Sequence, residues 1–143
     1  MTQQFQLHPR LAADTLALYS LDLCEVRLLN DSRFPWLVLI PRRAGMGEVH
    51  QLLEAEQRQL IFESSLVSQA LLETARADKI NIGALGNLVP QLHWHVVARY
   101  RTDACWPGPV WGCGTAVPYA EEALHNLLSS LKKAIQTNLK GRI

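Results

Sequence analysis

Between Val89 and Tyr100 the chain reads VPQLHWHVVARY, and no other stretch restricts the fold as much. Residues 91–97 alternate with a period of two, the mark of a β-strand, whose successive side chains point to opposite faces. One face then carries Leu92, Trp94 and Val96, and needs a core to cover it. The other carries Gln91, His93 and His95, spaced about 6.6–6.8 Å apart along the strand. A helix does not set these three polar groups in one row. Pro90 marks the first residue of the strand or an edge.

The remaining segments fill in around this strand. FQLHPRLAADT, residues 5–15, reads as a lead-in with a helical turn near Pro9 to Ala13. LCEVRLLND (residues 23–31) and FPWLVLIP (residues 34–41) read as two strands joined through Asn30-Asp31-Ser32, which suits an antiparallel hairpin. Over residues 49–75, Leu53, Leu60, Ser64, Val67 and Leu71 recur at steps of seven, four, three and four, which predicts a long helix. DKINIGALGN, residues 78–87, reads as a strand entering a glycine loop. CWPGPVWGCG, with two prolines and three glycines in ten residues, is irregular. A final helix is expected from Ala120 to Leu139, acidic early and basic late, as the helix dipole favours. Strand–strand–helix–strand–strand–helix gives an α+β fold: an antiparallel sheet with one long helix and a C-terminal helix.

Length and composition bound the function. A single domain over residues 1–143 is expected. Apolar residues are 48% and charged residues 19%, ordinary for a globular chain. A net charge of +1 without a basic stripe gives no footprint for nucleic acid. The longest apolar run, Trp36 to Pro41, falls far short of the roughly 20 residues that span a bilayer, so no membrane partner is expected. MTQQFQLHPRLAAD lacks the apolar stretch of a secretory leader. Three cysteines, Cys24, Cys105 and Cys113, cannot all pair within the chain, which suggests a reducing cytoplasm.

Two imidazoles on one face suit phosphoryl chemistry. Neutral imidazole is a nucleophile near pH 7 and can carry a covalent intermediate. A second imidazole two positions on can donate a hydrogen bond to phosphate oxygens or to a leaving group. Gln91 can hold the nucleophile's ring by a hydrogen bond, but it cannot carry a proton. Two other readings fit the same residues. The ladder is also what a solvated sheet face looks like, and His93 and His95 with Cys105 and Cys113 would make a zinc ligand set, although the two cysteines lack a tight C-x2–4-C spacing.

With its neighbours, the ladder resembles the histidine triad (HIT) family of nucleotide hydrolases and transferases, whose motif is His-φ-His-φ-His-φ-φ with φ apolar. Here it stands as Gln91-Leu92-His93-Trp94-His95-Val96-Val97. Upstream, NIGALGN (residues 81–87) is similar to the family's Asn-x-Gly segment and glycine loop, and RLLNDSRFPWLVLIPRR (residues 27–43) to its ribose-contacting hairpin. The resemblance covers residues 5 to 112. Gln91 in place of the first histidine, with the WPGPVWG tail, looks like a bacterial branch of the family.

The resemblance implies that His93 is the nucleophile on the α-phosphate and that His95 contacts phosphate. Gln91 would take over part of the first histidine's orienting role. Asn30 would lie near the ribose, Asn87 in a loop approaching the phosphate, and Asn81 in the Asn-x-Gly segment. A HIT-like fold, a homodimer, no required metal or cofactor, and a purine nucleotide or dinucleoside polyphosphate substrate are also implied. Cleavage would pass through a nucleotidyl-histidine. The alternative is a nucleotide-binding protein with little or no turnover, because the first triad histidine is Gln91.

The other conspicuous residues read as structural. Trp94 belongs to the core face, and Cys24 is a small core residue in a strand. Trp106 and Trp111 pack within their loop, wall a base pocket or cover a dimer surface. Arg99 and Arg101 read as solvated at the strand end, with a distal phosphate as the other option. Gly83 and Gly86 allow positive φ or close approach to phosphate. His8, His50 and His125 have no partner pattern.

Overall fold

The computed structural model describes residues 3–142; Met1, Thr2 and Ile143, the outer ends of the expected domain, lie outside the described residues. Its elements run α1 (Pro9–Asp14), β1 (Thr15–Ser20), β2 (Cys24–Leu29), β3 (Trp36–Pro41), a 3-10 turn (Val49–Gln51), α2 (Glu54–Ala75), β4 (Lys79–Gly83), β5 (Trp94–Arg99) and α3 (Glu121–Lys140). The strands form one five-stranded antiparallel sheet in the order β1-β2-β3-β5-β4. The α+β architecture expected from the sequence is therefore present, with one strand more than the sequence pattern gave. That strand, β1, escapes a period-two reading because a bulge between Ala17 and Tyr19 breaks its alternation.

Parity sorts the sheet into two faces. Leu37, Leu39, Val96 and Ala98 face α2 and α3 and join Leu60, Leu66, Val67, Leu71, Leu131 and Ile135 in the larger core. Trp36, Val38, Ile40 and Val97 face the other way, where Leu11, Phe34, Val89 and Val110 cover them in a second cluster. The central strand β3 is therefore buried along its whole length, which is why its sequence is a continuous apolar run rather than an alternating one.

The long helix starts five residues later than its periodicity suggested. Leu53 is its N-cap and is 71% exposed, while Leu60, Ser64, Val67 and Leu71 are buried as expected. Glu63 ties this helix to the β1–β2 turn. Its carboxylate is 1% exposed and accepts the backbone N–H groups of Leu23 and Cys24 at 2.9 and 2.8 Å. A third bond comes from the Gln59 side chain at 2.7 Å. Among the described residues no helix is long and apolar enough to cross a membrane.

Removing the Glu63 carboxylate strands two buried backbone donors, each at about 1–3 kcal/mol. Glu63→Ala is expected to destabilise the protein by about 2–5 kcal/mol in urea titration, whereas the exposed neighbour change Gln69→Ala stays within about 0.5 kcal/mol.

Candidate active site

His93 and His95 lie together in the wall of a cavity of about 500 Å3 on the sheet face away from the two long helices. Their rings are 4.9 Å apart, centroid to centroid. His95 is in β5, opposite Val38 of β3 on one side and Gly83 of β4 on the other. His93 precedes the first ladder residue, Trp94, and its ring is held differently. Its Nδ1 lies 2.7 Å from the backbone carbonyl of Gln91. A carbonyl only accepts, so Nδ1 carries the hydrogen and the lone pair is on Nε2.

His95 is set in the opposite tautomer. The indole Nε1–H of Trp36 donates to its Nδ1 at 2.9 Å. Indole is a donor only, so the neutral ring carries its hydrogen on Nε2. Trp36 reaches His95 because Val38 is its direct cross-strand partner and Trp36 stands on the diagonal. Burial, and then the neighbouring His93, push the His95 imidazolium down to a pKa of about 4. His95 is therefore neutral at pH 7.

Trp111 completes the packing around this ring, edge-on to both His95 at 5.6 Å and Trp36 at 6.1 Å. Gly83 makes the room, since a Cβ there would lie 2.9 Å from the Trp111 ring. Of the roles open to Trp111 (loop packing, pocket wall or dimer surface), the ring lines the cavity and packs against Trp36 and His95 of the sheet. Gly86, at φ +69°, turns the chain beside the cavity next to Asn87, which lines it.

The other expected site residues go elsewhere. Asn30 Oδ1 accepts the Tyr119 N–H at 2.9 Å, tying β2 to the segment before α3. Its neighbour Asp31 lines the cavity instead. Asp31 is 1% exposed and forms a two-pronged pair with Arg33, whose Nε and Nη2 approach at 3.0 and 2.8 Å. Burial alone would raise this carboxyl. The bonds from Arg33 and from the amides of Arg33 and Val117 outweigh it and hold the group below the ordinary value. Asn81 accepts from Arg99 Nη1 at 2.9 Å and is a structural partner rather than a cavity residue. The Gln91 side chain is not the clamp on His93: its amide faces the backbone of Gln6 and His8. Residue 91 lies outside the strand ladder, so strict alternation does not extend to it.

Two further expectations are corrected. Arg99 is not solvated at a strand end: it is fully buried, paired with Asp103 at 2.8 Å, and stacked between Phe34 and Trp106. Cys105 and Cys113 form a disulfide and Cys24 is free and buried. Cysteine number therefore gives no argument for a reducing compartment. The two sulfurs are bonded to each other, which withdraws them from the zinc set considered above.

Sequence reasoning missed Trp36, Asp31 and Arg33 and the α1 residues Arg10, Leu11 and Asp14, all of which line the cavity. Asp31 was visible next to Asn30, but only as a turn residue. Trp36 becomes visible only once the register of β3 against β5 is known.

An unfolded imidazole titrates near 6.5 and the folded His95 near 4. As pH falls from 6.5 towards 4 the unfolded chain takes up a proton that the folded one refuses. Stability is thus complete above about pH 6.5 and declines below it, by at most about 3 kcal/mol at pH 4. Urea midpoints should fall across this window in the wild type. In His95→Phe the one-proton dependence should disappear, even though that variant is less stable at pH 7.

The HIT domain matches residues 10–102 of the chain. No curated protein sequence matches it. Among solved structures, a histidine triad protein from Sinorhizobium meliloti 1021 shares 47% identity with a TM-score of 0.89, over 91% of this chain and 96% of that one. One from Bradyrhizobium japonicum shares 44% with a TM-score of 0.91, over 93% and 99%. A third, from Marinobacter aquaeolei VT8, shares 46% with a TM-score of 0.91, over 94% and 98%.

Proposed function

The chain belongs to the HIT domain family, and from that premise we propose that it is a nucleotidyl hydrolase or transferase that uses His93 as its nucleophile. The observation that carries the proposal is the pair of opposed tautomers. His93 offers a lone pair to the cavity beside an N–H offered by His95, each fixed by a bond on its other nitrogen.

In this reading His93 Nε2 attacks the α-phosphorus of a purine nucleotide. The Nε2–P bond forms as the bond from phosphorus to the leaving group breaks. His95 Nε2–H bonds a phosphate oxygen as charge develops on it. Water then cleaves the Nε2–P bond, returning the imidazole and releasing a nucleoside monophosphate. Asn87 stands in the glycine loop on the phosphate side, and Asp31, rather than Asn30, offers a carboxylate to ribose hydroxyls. No cofactor or metal enters the scheme.

A cavity of about 500 Å3 suits one nucleoside monophosphate unit. Its two arginines each face a carboxylate of the same wall, Arg10 with Asp14 at 3.7 Å and Arg33 with Asp31 at 2.8 Å. This balance favours a substrate with a single phosphate over a dinucleoside polyphosphate. The alternative of nucleotide binding with little turnover draws on the missing first histidine. It loses weight because the bond that sets the His93 tautomer comes from a backbone carbonyl, which any residue at position 91 supplies.

A homodimer completes the reading. Among the described residues the β4 edge of the sheet has no strand beside it, and Ile82 of that strand is 46% exposed. Such an edge suits a second copy.

The test offers adenosine 5′-phosphoramidate and diadenosine polyphosphates to wild type and His93→Ala, with product followed by chromatography. Adenosine monophosphate is expected from the wild type, faster from the phosphoramidate. His93→Ala should lose at least about three orders of magnitude in kcat. Full activity in His93→Ala would sink the mechanism, and nucleotide binding without product from the wild type would establish the alternative.

A further inference from the structure

Position 91 carries two separate contacts. Its backbone carbonyl holds His93 Nδ1. Its side-chain amide holds the lead-in segment: Oε1 accepts the His8 N–H at 2.9 Å, and Nε2 donates to the Gln6 carbonyl at 2.8 Å. A carboxamide sets its acceptor and donor side by side on one carbon, the same arrangement as a peptide edge, so it pairs with a backbone as another strand would. The two nitrogens of an imidazole point apart, and a histidine here would serve at most one of the two groups.

What the amide holds matters to the cavity. Immediately beyond the clamp the chain enters α1, whose first turn is capped by His8 Nδ1 accepting from the Arg10 N–H at 3.1 Å. Arg10, Leu11 and Asp14 of this helix line the cavity. At six residues it is too short to hold itself in place. Its fixed points are Leu11, 6% exposed in the second cluster, the hydroxyl of Thr15 at the start of β1 donating to the Leu11 carbonyl at 2.5 Å, the Asn30 N–H donating to the Asp14 carbonyl at 3.1 Å, and the Gln91 clamp. Phe5 and Leu7, on either side of the clamped Gln6, pack against the same cluster.

We propose that Gln91 is a positioning residue that latches residues 6–8 and so sets the α1 wall of the cavity, governing how substrate is bound rather than the chemical step. The proposal rests on the cavity being the nucleotide site. It gives the glutamine a task of its own, distinct from imitating a histidine: residue 91 joins the nucleophile to the α1 wall, one through its main chain and the other through its side chain.

The experiment is a cycle in the full-length protein: wild type, Gln91→Leu, His8→Pro and the double variant. His8 has φ −57°, a value proline adopts, so His8→Pro removes the N–H donor without forcing the backbone; His8→Ala controls for the lost Nδ1 cap. KM and kcat are read with adenosine 5′-phosphoramidate, the Kd of adenosine monophosphate by calorimetry, and protection of the residue 8 amide, in Gln91→Leu, by hydrogen exchange. Gln91→Leu should raise KM and Kd about fivefold or more, leave kcat within about twofold and unprotect the amide. His8→Pro should raise KM and Kd in the same direction, and, once the cap loss read from His8→Ala is subtracted, the double variant should be no worse than Gln91→Leu.

A tenfold fall in kcat for Gln91→Leu without a change in KM would place the side chain in the chemistry and overturn the proposal. Fully additive effects, or an amide that stays protected, would overturn it too. If the wild type binds the monophosphate but turns nothing over, the hydrolase reading fails and the Kd cycle still decides the latch. If it binds no nucleotide at all, both fall.

Discussion

The antiparallel pairing of β3 with β5 is the constraint from which the site follows. Val38 opposite His95 puts Trp36 on the diagonal, within 2.9 Å of the imidazole. A slip of one residue would turn Trp36 into the helical core and Leu37 towards the cavity, because every side chain of a strand changes face together. Burial on both sides of β3 prevents that slip. Leu37 and Leu39 are held by α2 and α3, while Trp36, Val38 and Ile40 are held by the second cluster. The same packing that stabilises the sheet therefore fixes which nitrogen of His95 faces the cavity.

The loop after β5 forms a further wall of the cavity, and three devices hold it where regular structure is absent. Asp103 accepts from both Nε and Nη2 of Arg99 and from the amides of Tyr100, Cys105 and Trp106. The Arg99 guanidinium beside it, helped by those amides, brings its pKa down to about 2. A buried pair of this kind is costly to break singly, since the remaining charge has no water to turn to. The Cys105–Cys113 disulfide closes the loop, and the Cys113 carbonyl accepts from Arg33 Nη1 at 2.7 Å. Trp111, between these anchors, lies against Gly83 and His95. Arg33 thus bridges the loop to Asp31, so the two walls of the cavity share one guanidinium.

Much of this could be read from the chain, within limits set by what local patterns encode. The central strands, both long helices and the shared face of His93 and His95 follow from periodicity, which is a property of neighbours in sequence. Strand β1 was missed because a bulge interrupts its period. Arg99 was misplaced because composition says arginine is exposed, whereas Asp103, Asn81, Phe34 and Trp106 form an enclosure from three separate segments. Asn30 drew attention through the resemblance of its hairpin, yet its amide caps a chain segment 89 positions away, and the carboxylate beside it reaches the cavity. Gln91 was expected on the face of the two histidines, but it lies ahead of the ladder and turns its amide to the lead-in segment. Its partners, Gln6 and His8, lie more than 80 residues upstream, and nothing local announces them.

Two imidazoles with centroids 4.9 Å apart in a buried wall cannot both be charged at modest cost. The protein avoids the conflict by giving them opposite tautomers through partners that allow no choice. A backbone carbonyl can only accept, so His93 turns a lone pair outward. An indole can only donate, so His95 turns a hydrogen outward. A side chain able to play either part, such as a serine or a second histidine in place of Trp36, would leave the His95 tautomer free to invert and present two lone pairs side by side. The cavity instead presents an acceptor next to a donor with no net charge of its own, since its arginines are matched by Asp14 and Asp31. In such a low-dielectric wall a dipole that is already aligned acts on an incoming charge without reorganising. The tryptophan within an apolar strand is thus as much a part of the histidine pair as the second histidine is.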